Sequence, residues 1–315
     1  MISGLLGRVL SGVVPWRMRR LDFPEQLDDA ARANSRAIIA IFLVAARAGM
    51  QEEDAEALMA LEAAQPWYRR QFFWEGHAFG VSALHACARA RGNPTPRYHA
   101  LGFRFMLYTG VGFWNGVAHR SHLPRVSLAD ERWTEVPDKV GCRPLLAGGA
   151  SFGAISELGR LDRATLEALG AQGDRWWRRG VYQGAGRAAW FLYMRNMDRL
   201  NQLFEDIAGW GEDVVPVAEG LGLAITYTQL GEPERILPAL ESLPAHLQDP
   251  LRRGARLCLA AAAADDSRVV SHMSAMPDPL SGWFEEGRAA LIEAGRGPDM
   301  PERLVAALGR FDGSN

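Results

Sequence analysis

The chain has 315 residues, 48% hydrophobic and 23% charged, enough apolar material for a sizeable core arranged as one large domain or two ordinary ones. A net charge of −2, a pI near 6.4 and the lack of any block of like charge leave no electrostatic footprint for nucleic acid. Cys87, Cys142 and Cys258 lie far apart with no CxxC pair, which argues against a disulfide framework or a thiolate metal site and fits a reducing, cytoplasmic setting.

In chain order, MISGLLGRVLSGVVPW (1–16) sets Ile2, Leu5, Leu6, Val9, Leu10, Val13 and Val14 on one helical face, while Arg8 interrupts any signal-peptide core. The stretch predicts a first helix capping the fold, with a membrane-surface helix as the competing reading. Ile38–Ala46 is the longest strongly apolar run, but Arg36 and Arg47 bracket it. That leaves about half of the roughly 20 residues a membrane span needs, so the run predicts a buried helix. Residues 1–65 are therefore expected to form N-terminal helices that cap the remainder of the chain.

From residue 66 a glycine grammar takes over: WEGHAF, YTGVGF, AGGASF, YQGAGR, AEGLGL, RRGARL and EEGRAA each carry a glycine followed two residues later by alanine or glycine. In AGGASF either Gly148 with Ala150 or Gly149 with Ser151 fits. The leading glycines, at 76, 110, 148, 184, 220, 254 and 287, are separated by 34, 38, 36, 36, 34 and 33 residues. A period near 34 residues is the length of a helix, a turn, a second helix and another turn. Apolar positions between the blocks recur at helical spacing, as in Leu192, Met197, Leu200 and Leu203, and breakers such as GNPTP, GWGED and GEPER punctuate them. No stretch alternates as a strand would.

The expected fold is all-α: helical-hairpin repeats of about 33–38 residues over 66–300, either a TPR-like α-solenoid or a closed helical array, followed by a C-terminal tail at 301–315. WYRRQFFWEGHAFG (67–80) resembles WWRRGVYQGAGR (176–187) with a one-residue slip, which suggests two pseudo-repeated halves, 66–170 and 171–300. A glycine inside a helix costs about 0.5–1 kcal/mol relative to alanine, so each block needs a reason. Close approach of a neighbouring backbone supplies one.

Aromatic residues gather at the same blocks and form either core or the wall of a large apolar pocket. Glu75, Gln183 and Glu219 share one slot, directly before the repeat glycine. If that face is concave, the slot residues converge, and burial could raise a carboxyl pKa into the range of a general acid; an ion pair with a nearby arginine is the plainer role. Glu75, His77 and Glu219 are the catalytic candidates, and Trp74, Tyr108, Trp114, Asn115, Tyr182, Gln183, Arg187 and Trp190 the substrate-binding ones. His119 and His122, or His77 and His85, lack a further ligand at a recognisable spacing, so no metal is expected. Asp28-Asp29, Glu205-Asp206, Glu212-Asp213 and Asp265-Asp266 lack the second carboxylate that a diphosphate–metal helix carries. With no phosphate loop, nucleophile elbow, HExxH or dinucleotide fingerprint, no cofactor is expected either.

The succession FFWEGHAFG, YTGVGFWNG, LLAGGASFG, VYQGAGRAAWF and GLGLAITYTQLG, from about residue 65 to 265, resembles the bacterial UnbL-type family, a domain of unknown function from the gene cassettes of enediyne polyketides. Its most specific tokens are Glu75-Gly76, the QGxGRxxWF run from Gln183 to Phe191, and GLGLA from Gly220 to Ala224. The family's closing histidine-threonine segment is replaced here by His272 and MSAMPDP. The resemblance implies specialised metabolism and no established reaction. It leads to the expectation of a protein that encloses a hydrophobic, polyene-like intermediate and promotes cofactor-free isomerisation or cyclisation. A non-catalytic scaffold for other biosynthetic proteins is the alternative.

Overall fold

A computed structural model of the chain describes residues 29–87, 104–126, 143–193, 196–297 and 299–312; residues 1–16, Asp28, Cys142 and the GNPTP breaker lie outside that set. Among the described residues all regular structure is helical. The long helices are α1 (Asp29–Gln51), α3 (Arg70–Cys87), α4 (Phe105–Arg120), α5 (Arg143–Leu158), α7 (Arg175–Leu192), α9 (Val214–Gln229), α11 (Gln248–Asp265) and α13 (Leu280–Ala294). Shorter ones fall between or after them: α2 (Ala55–Ala63), α6 (Arg163–Gly170), α8 (Met197–Asp206), α10 (Ile236–Glu241), α12 (Val270–Ser274) and α14 (Met300–Gly309).

Side-chain oxygens start these helices where the sequence supplies them. Asp174 accepts from the backbone N–H groups of Trp176 and Trp177 and so begins α7, and Asp162 and Asn196 do the same for α6 and α8. Helix α1 buries Ile38, Ile41, Phe42, Ala45 and Ala46 at three-to-four spacing and leaves Arg36 and Arg47 outside. Within it, Arg32–Gln51 is long and apolar enough to cross a membrane, with mean hydropathy 1.3, yet the helix packs its apolar stripe against α3.

The long helices stack in chain order, α1 on α3, then α4, α5, α7, α9, α11 and α13. Glycine is what brings their backbones together. A Cβ at Gly112 would collide with the carbonyl oxygen of Leu146, and one at Gly116 with that of Ala150. Both contacts advance by four residues, so α4 and α5 run in the same direction. Gly76 on Phe42 with Gly80 on Ala46, and Gly180 on Pro144 with Gly184 on Gly148, give α3 and α7 the same sense relative to their predecessors.

The two-residue spacing of the glycine grammar comes from helix geometry, because positions i and i+2 lie about 200° apart and face opposite neighbours. Gly110 meets Glu75 of the preceding long helix while Gly112 meets Leu146 of the next one, and Gly220 meets Gln183 while Gly222 meets Leu251. In the third block the order is inverted: Gly149 faces back to Thr109 and Gly148 forward to α7.

Early and late helices also touch. Asn34 Nδ2 donates to the Thr228 carbonyl oxygen at 2.7 Å, the Trp67 ring stacks on His272 at 4.7 Å, and Arg70 and the fully buried Glu62 pair with Asp266 and Arg268 at 3.1 and 2.6 Å. The segment from 301, read from sequence as a tail, carries α14, which packs on α13 through a small separate apolar cluster including Ala294, Met300, Leu304 and Leu308. Arg256, 1% exposed, fastens this end by donating to Glu286 at 2.5 Å and to the Phe311 carbonyl oxygen at 3.1 Å.

Candidate functional site

The position before four of the repeat glycines has a consistent geometry, with Gly149 taken as the glycine of the third block. The carbonyl oxygens of Glu75, Thr109, Gln183 and Glu219 lie against Gly110, Gly149, Gly220 and Gly254 of the next long helix. All four of these residues, together with Arg253 before Gly254, line the interior. Residues four and eight further on continue the same stripe, which brings in Arg187 and Phe191 from α7 and Leu223 and Tyr227 from α9.

The stripes enclose two apolar cavities. The first, about 930 Å³ with its open mouth included, is walled by α1, α3, α4, α5, α7 and α9, with Phe42, Phe72, Phe113, Phe152 and Phe191 prominent. The second, about 1030 Å³ on the same basis, lies between α4, α5, α7, α9 and α11 and is closed by Leu291 of α13 and Met300, Leu304 and Leu308 of α14. Met106, Arg187, Leu223 and Tyr227 belong to both walls and form the partition. Both linings are mostly apolar with a few placed polar groups, the chemistry of small-molecule pockets.

Among the described lining residues, charge falls in two clusters. Arg187 Nη2 donates to Glu75 Oε1 at 3.0 Å, with both side chains buried, and its guanidinium sits 5.1 Å from the Phe152 ring centroid. At the second cavity Glu219 Oε1 accepts from Arg179 at 2.5 Å and from Arg253 at 3.0 Å, and Arg253 also holds Asp312. Burial pushes both glutamate carboxyls above their ordinary range, against the pull of these arginines. Asp265 of α11 accepts from the Phe105 and Met106 N–H groups at 2.6 and 3.3 Å, capping α4 from another helix, and burial holds its carboxyl up at about 7.

Four of the candidates named from sequence meet here: Glu75 and Arg187 at the first cavity, and Gln183, Glu219 and again Arg187 at the second. The others belong to the packing between helices. Trp74, Tyr108 and Tyr182 each precede a slot residue, about 100° round the helix from the inward stripe. Trp74 lies under the Arg104 guanidinium at 4.3 Å, Tyr182 accepts from Arg178 at 3.3 Å, and Tyr108 is buried outside either lining. His77, two beyond Glu75, faces α1, where burial drives its imidazole down to about 4 and keeps it neutral at pH 7. Trp114 packs edge-on to Phe79, and Trp190 donates to Thr228 at 2.8 Å. Asn115 spends both ends of its amide on the Val126 backbone, at 2.9 Å each.

Sequence reasoning missed Thr109, Arg179, Arg253, Tyr227 and Asp265. Thr109 and Arg253 occupy the slot itself, and Tyr227 lies two helical turns beyond Glu219, so the glycine register would have found all three. Among the described residues no three His, Cys, Asp or Glu side chains cluster as a metal site requires.

The profile of a family described as "Protein of unknown function (DUF1702)" matches residues 13–296. The chain belongs to the DUF1702 family. The match spans every described residue that lines the first cavity, whereas part of the second is walled by α14, beyond the family's matched region. No curated protein and no solved structure matches the chain.

Proposed function

We propose that the protein binds an elongated, hydrophobic small molecule in the two interior cavities. The observation that carries this is the pair of aromatic and aliphatic cavities flanking one buried Glu75–Arg187 pair. With the resemblance to the enediyne-cassette family, the reading becomes a bacterial specialised-metabolite protein, working in the cytoplasm, that holds a polyene-like polyketide intermediate. In this reading the Glu75 carboxylate, paired with Arg187 and made more basic by burial, takes a proton from the ligand and returns it in an isomerisation or cyclisation that needs no cofactor.

The architecture in this reading is a closed array of repeated helical units over 66–300, with two related halves. The recurrence of the slot, supported by the same glycine-to-carbonyl contact from α3 to α11, favours descent from a repeated unit.

Native mass spectrometry of the protein purified from a host that expresses an enediyne-type polyketide synthase tests the binding. The wild type should release a polyene on organic extraction, and Ser156→Trp, at a partly exposed position of the first cavity, should carry less of it. Protein that arrives without a small molecule but with another biosynthetic protein attached would favour the scaffold instead.

A further inference from the structure

The partition between the cavities holds a polar atom that the protein itself does not satisfy. Tyr227 Oη is fully buried, the residue being 4% exposed, and has no hydrogen-bond partner among the described residues. Such orphaned groups are rare in native interiors, because burying a hydroxyl without a partner costs roughly 1–3 kcal/mol. Tyr227 lines both cavities, and its ring packs edge-on to Phe72 at 6.2 Å. Arg187, the other polar member of the partition, commits Nη2 to Glu75. The remaining two members, Met106 and Leu223, are apolar, and the unbranched thioether of Met106 can adapt to a ligand.

We propose that the two cavities serve one chain-like ligand that crosses the partition, and that this ligand carries a carbonyl oxygen in its interior which accepts from Tyr227 Oη. The inference deepens the binding function above and rests on it. The geometry selects an interior position because the donor stands where the cavities meet, with apolar wall on both sides. A chain with its oxygen at one end would fill one cavity alone or leave the hydroxyl unmatched.

The test uses diphenylhexatriene as a fluorescent polyene probe, displaced by diheptyl ketone, by methyl tridecyl ketone and by the alkane of the same length. Wild-type protein should bind diheptyl ketone about tenfold more tightly than the alkane, the ratio that one hydrogen bond of ordinary strength supplies. It should also bind diheptyl ketone more tightly than the methyl ketone. Tyr227→Phe removes only the hydroxyl, so it should bind diphenylhexatriene as the wild type does and bring the ketone-to-alkane ratio to about one. Binding of diphenylhexatriene with no ketone preference, a preference for the methyl ketone, or a preference that survives in Tyr227→Phe and so belongs to another donor such as Thr109, overturns this inference alone. Failure of diphenylhexatriene to bind overturns the cavity function and this inference with it.

Discussion

The two cavities are built by the same rule and stabilised differently. Glu75 and Glu219 both precede a repeat glycine, and both turn a carboxylate inward beside an apolar wall. Glu75 is answered by one arginine from across the interior, Arg187, while Glu219 is answered by two from the adjacent helices, Arg179 and Arg253. The slot fixes where the side chain points, and the surrounding helices fix how tightly its charge is held. The first cavity therefore has one charge pair that cannot be broken without leaving an ion stranded, and the second has a spare partner.

Removing the single partner should have the largest effect. Arg187→Ala leaves the Glu75 carboxyl buried alone and should cost about 3–5 kcal/mol in urea denaturation. Replacing both residues, as Glu75→Gln with Arg187→Met, should restore much of it, and full loss in the double variant would show that the pair is not the cause. Asp265 anchors the start of α4 where the cavities adjoin. With its pKa raised from 3.8 to about 7, the folded chain keeps a proton that the unfolded chain releases in that window. Stability is therefore lost as pH rises from about 4 to 7, by up to about 4 kcal/mol from this group. Asp265→Asn should flatten the stability–pH profile by that amount, and an unchanged profile would contradict the assignment.

Smaller effects separate the slot from the rest of the helix. Gly220→Ala places a Cβ on the Gln183 carbonyl and should cost about 3 kcal/mol, seen as a lowered denaturation midpoint. Arg179→Ala should cost only about 1 kcal/mol by the same measurement, because Arg253 still holds Glu219. An effect as large as that of Arg187→Ala would erase the distinction between the cavities. Gly282 of α13 has open space around it, so Gly282→Ala should raise stability by roughly 0.5 kcal/mol.

Much of this was legible from spacing. A glycine every 34 residues or so carried the all-α fold, and the slot before it picked out Glu75, Gln183 and Glu219, all of which line the cavities. The remaining candidates, apart from Arg187, were legible by chemical type rather than by phase, and they lie outside both linings. Trp74, His77, Tyr108 and Tyr182 are conspicuous residues, but one or two positions from the slot means 100° or 200° around a helix. The partnerships were not legible at all. Glu75 meets Arg187 across 112 positions and Asp265 caps α4 across 160, distances that only the packing of intervening helices closes. The two-glycine spacing was visible, but its cause, one glycine for each neighbour, needed the helix directions.

Uptake of an apolar chain by the interior is the central claim. Fluorescence titration of diphenylhexatriene into wild-type protein, Ser156→Trp and Leu257→Trp tests it, since these partly exposed positions line the first and second cavities respectively. Ligand-binding cavities predict saturable enhancement in the wild type and weakened binding in both variants at unchanged stability. Enhancement that never saturates, or that neither tryptophan alters, would contradict the claim.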